Sequence, residues 1–143
     1  MATFESSLRP KLIYVFRIND NAHHGALKIG EATAELGDGY FTPNSQLLND
    51  AACQRIDQYT KTASIRYDLL YTEGTMFTDA NGMVSSFNDK QVHSVLERSG
   101  VKKKDFGMKN QGTEWFVTDL QTVKNAIAAV KAGRKSLTVK EIS

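Results

Sequence analysis

Seven residues constrain the fold of this chain more than any others. LIYVFRI (12–18) is almost continuously apolar and rich in strand-forming residues. A run without polar alternation suits a strand buried on both faces, so it predicts a central strand. NDNAHHG (19–25) follows with turn chemistry, since Asn, Asp and Gly accept positive φ. LKIG (27–30) then returns. The two runs predict an antiparallel hairpin with a longish loop, its second strand ending at Gly30.

The rest of the chain alternates in type. Residues 31–47 are expected to form a long loop. From Leu48 to Tyr59 the spacing is helical, with Leu48, Ala52, Ile56 and Tyr59 on one face. SIRYDLLYTE (64–73) reads as a strand and GTMFTDANGMVSS (74–86) as a loop. NDKQVHSVLERSG (88–100) is the clearest helix, with Asn88 or Asp89 as its cap and Gly100 at its end. A charged loop leads to a short strand, TEWFV (113–117). Asp119 then caps an amphipathic helix that closes at Gly133. The order β-β-α-β-α-β-α predicts a small α+β domain whose mainly antiparallel sheet of about three to four strands is flanked by helices. Residues 1–10 read as a tail, 11–133 as the domain, and 134–143 as a basic linker or tail leading to a further domain.

Composition narrows the function classes. At 143 residues the length fits one domain with a real core. No apolar run approaches the roughly 18 residues of a membrane helix, and the start lacks a secretory layout, so no membrane partner and a cytoplasmic location are expected. The single Cys53 excludes an internal disulfide and any multi-cysteine zinc site, and is expected to be buried. Net charge is −3 over residues 1–99 and +5 over residues 100–143. A basic third of this kind, Lys102, Lys103 and Lys104 above all, suits either nucleic acid or a solvated face.

The chemistry-bearing residues are scattered. Asp89 and His93 lie four apart on one helix and so share a face. Arg55 sits in a helix among small and apolar residues, Tyr14 in the first strand, Lys28 beside Gly30, and Glu114 at the start of the last strand. His23 and His24, adjacent in the hairpin turn, read as solvated.

In order, LIY (12–14), KIG (28–30), QRI (54–56), DKQVH (89–93) and GTEWF (112–116) resemble the GIY-YIG endonuclease superfamily. The likeness is to the branch with K-I-G as second motif and a G-E-W-F-like last strand, named after a coliphage reading frame and a fission-yeast meiotic gene. It implies a DNA endonuclease that uses Mg²⁺ or Mn²⁺. Tyr14 would be the proton acceptor, Lys28 the residue at the second tyrosine's place, and Gly30 the glycine that allows close approach. Arg55 would face the scissile phosphate, with Arg66 as the alternative. Asp89 would bind the metal, and His93 and Glu114 would complete the site. Three positions depart from the pattern: LIY replaces GIY, Asp89 replaces glutamate, and 24 residues separate Gly30 from Arg55.

A free tyrosine titrates near pH 10, so Tyr14 needs a nearby cation to act as a base. Lys28 is expected to lower its pKa or to contact the phosphate. The alternatives are a GIY-YIG-like module that binds nucleic acid without cutting it, and an unrelated α+β interaction domain. A helicase or DNA-binding part of a longer chain, in a restriction or defence setting, is the expected source of targeting.

Overall fold

In the structure, a computed structural model that describes residues 10–109 and 114–142, the LIYVFRI run forms β1 (Lys11–Arg17) and takes the central place expected of it. It pairs antiparallel with β2 (Ala26–Thr33) on one side and β3 (Asp68–Gly74) on the other. β4 (Met76–Thr78) and β5 (Val84–Ser86) form a separate hairpin. β6 (Trp115–Val117) closes the main sheet beside β2, giving the order β3-β1-β2-β6. With three α-helices among the described residues, the chain is an α+β domain.

Both faces of β1 are covered, and Leu12 through Phe16 are at most 3% exposed. Leu12, Tyr14 and Phe16 pack with Leu48, Ala52 and Ile56 of α1 (Gln46–Thr60). Ile13 and Val15 pack with Val92, Val95 and Leu96 of α2 (Asp89–Arg98) and with Val123 and Ile127 of α3 (Leu120–Lys131). Each such aliphatic side chain contributes about 1.5–3 kcal/mol through burial, which holds the three helices against the sheet. Among the described residues no helix is long and apolar enough to cross a membrane.

Local chemistry fixes the helix starts. The Ser45 side chain accepts the Leu48 amide of α1, and Asp119 accepts the Thr122 amide of α3. At α2 the cap is Asn88, in a reciprocal capping box with Gln91. Asp89 is therefore the first helical residue, and its carboxylate is left for other partners.

Several expectations change. β2 does not stop at Gly30 but runs to Thr33, which puts Glu31 on a strand. Residues 64–67 precede β3 rather than opening it. The expected loop 74–86 holds the β4–β5 hairpin, whose turn Asp79 ties by accepting the Asn81 and Met83 amides and the Ser85 hydroxyl. Cys53 is half-buried rather than buried. Residues 1–9 of the expected tail, and Gly112 and Thr113, lie outside the described residues.

The expected linker 134–142 instead docks on the domain. Leu137 is buried, its amide donates to the Ser99 hydroxyl at 2.8 Å, and Ile142 packs on the core. Arg134 clasps Glu141 at 2.6 Å, and this pairing holds the Glu141 carboxyl down at about 2. A depressed carboxyl stabilises the native form fully above its ordinary value of 4.5 and ceases to do so as pH falls through about 2. The Leu137 amide signal, followed by NMR, is thus expected to hold its native position down to about pH 4 and to lose it towards pH 2. In Glu141→Gln it should already be weakened at pH 7.

Candidate active site

A cleft of about 380 Å³ opens where β1, β2, α1, the start of α2 and the entry to β6 meet. Tyr14, Lys28, Glu31, Arg55, Tyr59, Asp89, Lys90 and Glu114 line it. Five residues singled out from the sequence, up to a hundred positions apart, are thus brought to one place. His93 lies beside them. Arg66 does not; it lines a different depression with Ile18, Asn19 and Tyr67.

Tyr14 stands opposite Gly30 across the β1–β2 pairing. Its ring lies over that glycine so closely that a Cβ there would sit 2.5 Å from the Tyr14 hydroxyl and 2.6 Å from Cζ. The close approach expected at Gly30 is therefore with Tyr14. The Tyr14 hydroxyl meets that of Tyr59 at 3.1 Å. Tyr59 follows Arg55 by one helical turn, so both face the cleft. The Lys28 ammonium lies 5.1 Å from the Tyr59 ring centre and the Arg55 guanidinium 5.8 Å from it, so one ring attracts two cations. Arg55 also donates to Gln58 at 2.8 Å.

The carboxylates come from three elements. Glu114 is fixed through its backbone, whose carbonyl accepts the Ile29 amide at 3.1 Å, and its side chain lies 3.7 Å from Lys28. Glu31 accepts the Asp89 amide at 3.0 Å and Lys11 at 3.1 Å. Burial pushes the Asp89 carboxyl up to about 6, with the hydrogen bond to Glu31 and the charges of Glu31 and Glu114 acting the same way. Burial alone would also raise Glu31. The hydrogen bonds from the Asp89 amide and carboxyl and from Lys11 outweigh it and hold Glu31 below the usual range. The two titrate as a pair, and the shared proton resides on Asp89.

His93 donates from Nε2 to the Ile29 carbonyl at 2.8 Å and packs on Phe116 with ring centres 5.3 Å apart. Burial holds its pKa down, opposed by that hydrogen bond and by Glu114. A neutral ring that donates from Nε2 leaves Nδ1 as an acceptor. A ring nitrogen of His93 and carboxylate oxygens of Asp89 and Glu114 lie within 4.8 Å of one another. Carboxylate oxygens suit a hard divalent cation, and a histidine whose other nitrogen donates to a backbone carbonyl is oriented as metal-binding histidines are. Crowded like charges, and an Asp89 carboxyl pushed up to about 6 by them and by burial, are what such a cation would relieve.

The expectation that Lys28 lowers the Tyr14 pKa fails. Burial pushes the Tyr14 hydroxyl up, and Glu114 and Asp89 add to the rise. The hydrogen bond from Tyr59 and the charge of Arg55 oppose it without reversing it. Lys28 is directed at Glu114 and at the Tyr59 ring. Tyr14 is therefore a neutral hydroxyl at physiological pH.

The other basic and histidine positions lie elsewhere. Residues 102–104 run along the outer edge of β6, with backbone hydrogen bonds from Lys104 to Trp115 and from Val117 to Lys102. Lys103 is paired with Glu97. His23, expected to be solvated, binds Asp20 at 2.7 Å and packs against Trp115 and Phe106. Glu31 and Tyr59 were not singled out by sequence. A Glu directly after the KIG motif and a Tyr one turn after Arg55 are the signals that point to them. Comparison of the chain with protein-family models, with curated proteins and with solved structures found no match.

Proposed function

We propose that this chain is a divalent-metal-dependent endonuclease domain of GIY-YIG type that hydrolyses DNA phosphodiester bonds. One observation carries the reading: Tyr14, Lys28, Arg55, Asp89 and Glu114, taken in motif order from the sequence, line a single cleft. Asp89 and Glu114 would hold Mg²⁺ or Mn²⁺, which when bound supplies charge to offset the phosphate and makes a bound water more acidic. Arg55 presents a two-pronged cation to the phosphate oxygens, and Lys28 adds a second charge at the rim. The neutral Tyr14 hydroxyl, held by Tyr59, orients the attacking water. Nδ1 of His93 is the group free to take its proton. Targeting by a helicase or DNA-binding part, in a restriction or defence setting, remains part of the proposal.

Relaxation of supercoiled plasmid tests it. The protein is expected to nick with Mg²⁺ or Mn²⁺ and not with excess chelator. Arg55→Lys keeps the charge but loses the fork, and should nick about tenfold more slowly, a barrier rise of about 1.4 kcal/mol. The second reading, a module that binds without cutting, draws on the protonated Tyr14 and the high Asp89 pKa. Salt-sensitive DNA binding without nicking in either metal would favour it.

A further inference from the structure

A second depression, about 440 Å³ in volume, lies between α2 and the turn that ends α3. Lys90, Gln91, Ser94, Arg98, Gly133 and Lys135 are among its lining residues, and no carboxylate is. Lys90 also lines the cleft that holds Tyr14 and Asp89, so the two depressions share a wall. Lys90, Ser94 and Arg98 follow one another at intervals of four, which places them on one ridge of α2.

Several cations elsewhere are offset by carboxylates, whereas most of those around this groove are not. Lys11, Arg17, Lys28, Lys103 and Lys131 are each paired with a carboxylate, as is Arg134 on the groove's own wall. Lys90, Arg98 and Lys135 make no ion pair with any described residue. Three unpaired cations around a groove free of carboxylates form an attractive channel for an anion. Lys90 and Arg98 lie eight positions apart on the helix, a rise of about 12 Å. That matches three to four nucleotides of one strand at about 3.4 Å each along a duplex axis.

We propose that this groove carries the sugar-phosphate backbone of the DNA strand as it leaves the cleft. The inference rests on the nuclease reading and gives its substrate a direction: from Arg55 and Asp89, past Lys90, along α2 to Arg98 and Lys135. Gln91 and Ser94, between the cations, can donate to phosphate oxygens without selecting a sequence, so the groove positions the strand and does not read bases. It also moves the expected DNA contact away from Lys102–Lys104, none of which lines either depression.

The test compares Arg98→Gln/Lys135→Gln with the charge-matched Lys102→Gln/Lys109→Gln. Binding of a fluorescent DNA duplex is followed by anisotropy in chelator, across about 50 to 200 mM salt. Hydrolysis of bis(p-nitrophenyl) phosphate, which reaches only the cleft, is measured with Mn²⁺. The groove variant should bind DNA at least about tenfold more weakly. Its slope of log affinity against log salt should be shallower by about 2, one unit for each lost phosphate contact. It should hydrolyse the small diester within about twofold of the parent. Binding and slope equal to the parent's, or an equal loss in the charge-matched variant, overturns the groove. A parent that cuts neither plasmid nor small diester sinks the nuclease reading instead, and the anisotropy still decides whether the groove holds DNA.

Discussion

Asp89→Asn is expected to give a protein that is more stable at neutral pH and inert towards DNA. The stability part follows from the sign of the linkage. The native carboxyl titrates at about 6 against an ordinary 3.8, so between those values the folded form binds more protons than the unfolded one. Stability then falls as pH rises across that window, and the full penalty is in place above about pH 6. Asparagine carries no charge to bury, and its amide can donate to Glu31 where the shared proton did. Part of the gain is offset by the favourable placing of a negative charge in the first turn of α2. After that, and after discounting for solvent contact and for the proton shared with Glu31, about 1–2 kcal/mol should remain at pH 7.5. Urea unfolding at pH 4 and pH 7.5 measures it: the variant's gain in stability over the parent should be larger at pH 7.5 than at pH 4.

The activity part has the opposite sign. Losing a carboxylate that holds the cation should slow nicking about a thousandfold, equivalent to about 4 kcal/mol of barrier. Mn²⁺ should raise the melting temperature of the parent and leave that of Asp89→Asn unchanged, because only the parent binds it in the native form. A variant that is less stable at pH 7.5, or that nicks like the parent, would show that Asp89 is an ordinary helix-start residue.

The same conflict explains what the sequence made legible. β1 could be placed because its apolar run admits one environment, and the three helices because caps and stripes agree. The β4–β5 hairpin could not: three-residue strands carry no measurable period, and the Asp79 contacts that tie their turn look like loop chemistry in sequence. Nor could the docking of 134–142, which hangs on one leucine, one isoleucine and an Arg–Glu clasp in a basic stretch. In the cleft, Arg55 and Asp89 were picked out by their places in the ordered set of motifs, because a charge beside small residues, or four residues from a histidine, is a weak signal alone. Tyr59 was concealed by fitting the apolar stripe of its own helix. Glu31 was concealed because the expected end of β2, at Gly30, falls one residue before it. A group that satisfies local rules and also faces a site is marked only by its place beside a motif, and the fold separates its two roles.

Gly30→Ala should behave in opposite ways depending on Tyr14. In a strand interior, alanine ordinarily stabilises relative to glycine by about 0.5–1 kcal/mol, because the unfolded chain loses freedom. Here the new methyl would sit 2.5 Å from the Tyr14 hydroxyl and within 2.8 Å of Cε1. The ring cannot swing aside cheaply: Tyr14 is 3% exposed, packs beside Phe16, and is tied to Tyr59. Overpacking of this kind costs about 1–3 kcal/mol. A displacement of the hydroxyl by about 1 Å should also slow nicking about a hundredfold, since the water it orients moves with it. In a Tyr14→Ala background the ring is gone and the ordinary preference returns, so adding Gly30→Ala should be neutral or stabilising. The double-mutant cycle should therefore show a coupling of at least about 1 kcal/mol, with a change of sign. Equal costs in both backgrounds would mean that Gly30 answers to its backbone and not to the ring across it. The glycine of the KIG run would then have no part in positioning Tyr14.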